Sequence, residues 1–220
     1  GFTPEDPEQE KKRLSFNFRQ NAQRWVQTEG RWTKEGLNTI ERIVSCERTD
    51  DKPWSLEGKQ VEIATMGLKW IQWEDIDING SSDDYHDFDT WFRSHHHFDE
   101  HKYDILYIDC RSMNDPDRDR NLQDHMGYHP QILKDAIKSP LAKKWTRRVV
   151  DFVEKDSHGR IKIAILLCKS GRHRTRALEN LLHGGLNMAG CKVPNVHSLS
   201  ESNWKHQGCR HETCPKCCQQ

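Results

Sequence analysis

Residues 161–182 read IKIAILLCKSGRHRTRALENLL, and the fold is decided in that stretch. Ile161, Ile163, Ala164, Ile165, Leu166 and Leu167 form an apolar run broken only by Lys162, as in a strand covered on both faces of a parallel sheet. The chain then turns through Cys168, Lys169, Ser170, Gly171, Arg172, His173, Arg174 and Thr175. It continues into a segment with Leu178, Leu181 and Leu182 on one helical stripe. A strand that passes through a glycine loop into a helix leaves main-chain N–H groups free at the helix start, and those groups attract anions. Arg172 and Arg174 add positive charge at the same place. The expected ligand is a phosphate, sulfate or carboxylate.

Working outward, residues 104–109, DILYID, predict a second strand. It delivers Asp109 and Arg111 to the carboxyl edge of a sheet, where open α/β folds bind ligands. If this strand neighbours 161–167, Arg111 is a second phosphate clamp and Asp109 either accepts from a ligand hydroxyl or holds Arg174. The structural alternative is an Asp–Arg pair that ties two loops together. The loop Asn114, Asp115, Pro116, Asp117 follows, with His125, Tyr128 and His129 as further polar groups for ligand or surface. Residues 131–137 read as a helix, and Ser139–Pro140 is a cap and first-turn pair for another. On that second helix Leu141, Trp145, Val149 and Phe152 share a face. Residues 156–159 turn into the buried strand, which gives the strand, helix, strand, helix order of a parallel crossover.

Further strands are expected at 61–66 and 68–73, and an edge strand at 193–199 behind Pro194. Asp89 is placed as the cap of a short helix, and Gly184–Gly185 as the end of the helix after the cysteine loop. The fold class is therefore α/β, a mostly parallel sheet with flanking helices. The division is an N-terminal extension over 1–57, the α/β domain over 58–200 and a small Cys/His tail over 201–220.

Two families share residues with this region. Cys168, Gly171, Arg174 and Thr175 fit C-x-x-G-x-x-R-[ST], which resembles the phosphate loop of cysteine-dependent phosphatases. That resemblance implies Cys168 as nucleophile and Arg174 as phosphoryl clamp, with a general acid from Asp115 or Asp117. Leu167 stands where that family usually has His, and a cysteine at a strand end also serves simply as a small buried residue. The second resemblance covers residues 105–182. Asp109-Cys110-Arg111, the Asn114-Asp115-Pro116 loop and the Cys168 to Thr175 element with its His173-Arg174 pair, in that order, are similar to the C-terminal domain of the RapZ family. Leu167 and Ser170 replace glycines of that pattern, and the kinase-like N-terminal half of those bacterial adaptors is absent. The resemblance implies a regulatory or binding module that senses a phosphorylated small molecule, sugar phosphate-like, and presents RNA to a partner. The function expected is that module; a cysteine-dependent phosphatase and a non-catalytic subunit of a larger assembly remain open.

Only 34% of the 220 residues are hydrophobic and 31% are charged, lean for a self-sufficient core, so extended ends or protein partners are expected. Net formal charge is zero but unevenly spread. Residues 74–117 hold thirteen acids against three basic residues, and 138–176 hold twelve Lys/Arg against three acids. Lys143, Lys144, Arg147 and Arg148 make a basic helix face, suited to nucleic acid phosphates or to solvent alone. No apolar stretch reaches the ~20 residues that span a bilayer. In the extension, Phe16, Phe18, Trp25 and Trp32 peg it to the domain or stack on bases, and residues 17–26 read as a short helix. His95, His96, His97 and His101 read as a surface cluster, since adjacent histidines cannot all face one ion. The tail carries His206, Cys209, Cys214 and Cys217 as His-x-x-Cys and Cys-x-x-Cys pairs, the ligand set of one structural zinc, with His211 and Cys218 as alternates. Clustered tail cysteines and scattered single ones suit a reducing, intracellular setting.

Overall fold

In a computed structural model the described residues are 56–78 and 83–204, with Cys209, Cys214 and Cys217 of the tail. The expectations for the aromatic residues and short helix of the extension fall outside them, as do His206, His211 and Cys218. Four strands form one sheet: β1 Glu62–Gly67, β2 Tyr103–Asp109, β3 Ile161–Cys168 and β4 Val196–Ser198. Their order is β2-β3-β1-β4 and every pairing is parallel. The α/β fold class is as the sequence indicates, with β3 central.

Side chains alternate across β3, so one strand feeds two cores. Ala164, Leu166 and Cys168 face a cluster with Ile108, Trp145, Val149, Leu178 and Leu182. Ile163, Ile165 and Leu167 face Ala64, Met66, Tyr107, Phe88 and Phe92. Three helices cover the first side: α3 Pro130–Lys138, α4 Pro140–Glu154 and α5 Arg174–Met188. The second side is covered by α1 Asp83–His96. Between β2 and α3 lie a 3-10 turn, Pro116–Arg118, and a short helical turn, α2 Arg120–Gln123, and α6 Glu201–Trp204 follows β4. The cap expected at Ser139 is present: its Oγ accepts from Leu141 N–H at 3.3 Å, with Pro140 in the first turn. Lys162, the charge inside the apolar run, is buried. Its ammonium donates to the carbonyls of Phe152, Val153 and Lys155 at the end of α4, where the helix dipole favours a cation.

Four expectations are corrected. Residues 68–73 are not a strand: β1 stops at Gly67, and Leu68–Trp70 make one 3-10 turn because the backbone there is pressed against the cysteine loop. Asp89 is not a cap but lies inside α1, accepting from Tyr107 Oη and Arg93 Nε at 2.8 Å each. Gly184 and Gly185 do not end α5; both are buried in its middle, packing outweighs their low helix propensity, and the helix runs to Met188. The edge strand shrinks to three residues, pairing Ile63, Ala64 and Thr65 of β1.

Candidate functional site

The cysteine loop lies where the sequence puts it, at the carboxyl end of the central strand. Gly171 has φ +76, and a Cβ on it would stand 2.8 Å from the Gly67 nitrogen. A Cβ on Gly67 would in turn stand 2.4 Å from the Ser170 carbonyl. Two glycines therefore let β1 and the loop meet backbone to backbone. Four loop carbonyls are engaged, three by neighbouring segments and one by the first turn of α5. Lys169 O accepts from Lys69 N–H at 3.0 Å, Arg172 O from Gly127 N–H at 3.1 Å and His173 O from Ala177 N–H at 2.8 Å. Ser170 O accepts from the Trp70 indole at 2.9 Å. The Gly171 N–H faces the other way and donates to Cys168 Sγ at 3.2 Å, with Thr175 Oγ1 3.7 Å from the same sulfur. Cys168 is 1% exposed. Cys110, at the end of β2, is fully buried; burial and the neighbouring Cys168 hold it as a thiol, well above the usual range.

Asp109, Arg111 and Arg174 are brought to one edge. Arg111 binds both oxygens of Asp109, and its guanidinium also donates to the carbonyls of Glu74 and Ile76. The hydrogen bonds to Asp109 hold Arg111 charged still more firmly than usual. Arg174 Nη1 donates to Arg111 O at 2.6 Å, and Nη2 lies 3.5 Å from Asp115 Oδ2. Arg172 and His173 reach residues 123–125, and His173 also reaches Asp117. Arg172 donates to Gln123 O, and the His173 ring meets His125 O at 2.5 Å and Asp117 Oδ1 at 3.2 Å. Burial pushes the His173 imidazole below its ordinary range, opposed by Asp117.

Beside Arg174 is a cavity of about 320 Å³. Asn114, Asp115, Arg118, Gln131 and Asp135 line it with Arg174, the one residue of the 168–175 loop to do so. The expected Asn-Asp-Pro loop is thus a wall of this cavity. It is ordered locally by Asp115, whose side chain accepts from Asp117 N–H at 3.2 Å.

A second cluster is legible in three of its four members. Cys209, Cys214 and Cys217 come together as expected, and the fourth member among the described residues is His125, from the turn after α2. All four ligand atoms lie within 4.8 Å of one another, and the group can hold a metal ion. His125 Nδ1 is 3.4 Å from Cys217 Sγ and 3.6 Å from Cys214 Sγ, and Cys209 Sγ is 3.5 Å from Cys217 Sγ. Burial pushes the Cys209 and Cys217 thiols up. His125 is 92 residues from Cys217, so no local spacing could reveal it. By contrast, His95 is exposed and stacks on Trp91, while His96 is half-buried against Phe92 with its Nε2 covered.

Among the described residues no helix is long and apolar enough to cross a membrane. Comparison of the chain with protein-family models, curated proteins and solved structures finds no match in any of the three.

Proposed function

We propose that this chain is a phosphate-recognising α/β module that binds a phosphorylated small molecule at the cysteine loop. One observation carries the reading. The carbonyls of Lys169, Ser170, Arg172 and His173 are engaged away from the loop, while the Gly171 N–H turns toward Cys168 and Arg174 lines the adjoining cavity. That polarity suits a small anion. Asp115 occupies one nitrogen of Arg174, so an incoming phosphoryl oxygen takes the place of a carboxylate, while Asn114, Gln131 and Asp135 offer partners to the hydroxyls of the organic part. Binding is favoured over catalysis because Cys168 is covered. The test is calorimetric titration of the full chain with inorganic phosphate and with a hexose 6-phosphate. Saturable binding, weakened at least about tenfold by Arg174→Ala, which removes a charge-assisted pair, is expected. Absence of saturation at millimolar concentrations refutes the reading.

A phosphatase is the second reading, favoured by the two groups beside the sulfur. The Gly171 N–H and the Thr175 hydroxyl are placed to stabilise a Cys168 thiolate. Turnover of an aryl phosphate that disappears on Cys168→Ser supports it, and phosphate binding without turnover excludes it.

The metal centre is read as zinc. Zn–S and Zn–N bonds of about 2.3 and 2.0–2.1 Å give a tetrahedron with edges of roughly 3.5–3.8 Å. The separations of 3.5 and 3.6 Å fall within that range and that of 3.4 Å just below it, with all four ligand atoms within 4.8 Å of one another. Three thiolates and one imidazole form a closed structural set. Such a zinc binds the tail to the α/β body.

A further inference from the structure

The metal cluster and the cysteine loop share one wall, residues 123–127. On one side of it, His125 Nδ1 faces Cys214 and Cys217, and Asp124 O accepts from Cys209 N–H at 2.7 Å. On the other side, three consecutive links reach the loop. Gln123 O accepts from the Arg172 guanidinium, His125 O meets the His173 ring at 2.5 Å, and Gly127 N–H donates to Arg172 O at 3.1 Å. The fit is tight, since a Cβ on Gly127 would stand 2.4 Å from His173 O and 2.5 Å from Ala177 N.

The tail is one of the anchors of this wall, through the Cys209 N–H and the packing of Trp204. The wall starts at Gln123, the last residue of α2, and otherwise lies outside regular structure; its Met126 and the adjacent Tyr128 are buried with Trp204 in a small cluster that also includes Trp70 and Cys209. Trp70 is the residue whose indole donates to Ser170 O. Tyr128 Oη donates to Glu179 Oε2 at 2.9 Å, and Arg176 Nη1 is 3.4 Å from the same oxygen in the first turns of α5. Loosening the tail therefore removes cover from the wall, and the wall holds both Arg172 and His173. Segments with so few apolar contacts open locally at low cost unless a ligand holds them.

We propose that metal binding at His125, Cys209, Cys214 and Cys217 and anion binding at the 168–175 loop are thermodynamically linked. The metal fixes residues 123–127 in the position that shapes the loop, so loading the metal tightens the anion site. Linkage is reciprocal, and the anion tightens the metal by the same factor. This inference rests on the anion reading of the loop.

The experiment uses the full chain, with zinc and inorganic phosphate as probes. Phosphate affinity is measured calorimetrically on zinc-loaded, desalted protein and on protein stripped with a chelator, with circular dichroism confirming that the sheet persists. Zinc affinity is measured by competition with a chromophoric chelator, with and without phosphate. The expected result is a roughly tenfold tightening in each direction, within the usual 5–150-fold range of coupling. Trp70→Phe, which leaves all four metal ligands in place and removes the indole link to Ser170, is expected to reduce that factor. Equal phosphate affinity in loaded and stripped protein overturns the linkage and leaves the anion site standing. Phosphate binding in neither state overturns the anion site and the linkage with it. Should stripping unfold the chain, the zinc competition decides alone, since it starts from loaded protein: no tightening by phosphate overturns the proposal.

Discussion

Replacing Gly171 with alanine tests whether β1 and the cysteine loop are as closely joined as the structure makes them. Its φ of +76 alone costs an L residue about 1–2 kcal/mol. In addition, the new methyl stands 2.8 Å from Gly67 N and 3.0 Å from Met66 C. Both are backbone atoms of a strand paired in register with β3, Gly67 opposite Cys168, so neither can swing aside as a side chain would. Overpacking of that kind adds about 1–3 kcal/mol. The total is roughly 2–5 kcal/mol, and at about 2–4 °C per kcal/mol for a chain of this size Tm falls by roughly 4–20 °C. Gly159 is the internal control. Its φ is +83, but a methyl there meets nothing within 4 Å, so Gly159→Ala carries the conformational cost alone, about 1–2 kcal/mol. Thermal and denaturant unfolding of the two variants separate the conformational cost from the contact cost. Gly171→Ala is expected to be the less stable and to bind phosphate more weakly. Equal unfolding free energies for the two variants would refute the close approach, and with it the geometry that turns the loop carbonyls outward.

Other perturbations bear on separate parts of the molecule. Leu166→Ala, at a fully buried position of β3, is expected to cost about 2–5 kcal/mol in denaturant unfolding; a loss under 1 kcal/mol contradicts the two-sided burial of this strand. Tyr107→Phe removes a hydroxyl bonded to Asp89 at 2.8 Å, and a cost of about 1 kcal/mol follows. Asp109→Asn weakens the fork that holds Arg111 against the 74–76 carbonyls; an expected loss of about 1–3 kcal/mol is checked by the same unfolding assay. Chelation of the metal is expected to lower Tm, and Cys217→Ser to lower it likewise while abolishing any further response to chelator. A chelator response that survives Cys217→Ser contradicts the assignment of that thiol.

The sequence carries the sheet because burial on both sides leaves a distinct mark: the run from Ile161 to Leu167 admits one charge, and Lys162 is tolerated only because three carbonyls at the end of α4 receive it. The cysteine loop and the Asp109–Arg111 pair were legible for the same local reason. What the arginines do was not. Arg172 and Arg174 sit two residues apart, yet one reaches Gln123 and the other Arg111, a choice set by which loops the fold brings near. The buried glycines of α5 illustrate the converse, a local breaker signal overruled by packing. His125 marks the limit, because a group 92 residues before Cys217 leaves no trace in the spacing of the tail cysteines.

On the proposed function, an anion is gripped by the amides and guanidinium at the end of β3. Titrating isotopically labelled full chain with inorganic phosphate, and following each backbone amide by NMR, tests it most directly. The largest saturable shifts are expected at Gly171, Arg172, Arg174 and Thr175, with the Arg174 side chain moving in step. Shifts concentrated instead on the basic face of α4 around Lys143, Lys144 and Arg148, with the loop amides unmoved, would contradict it.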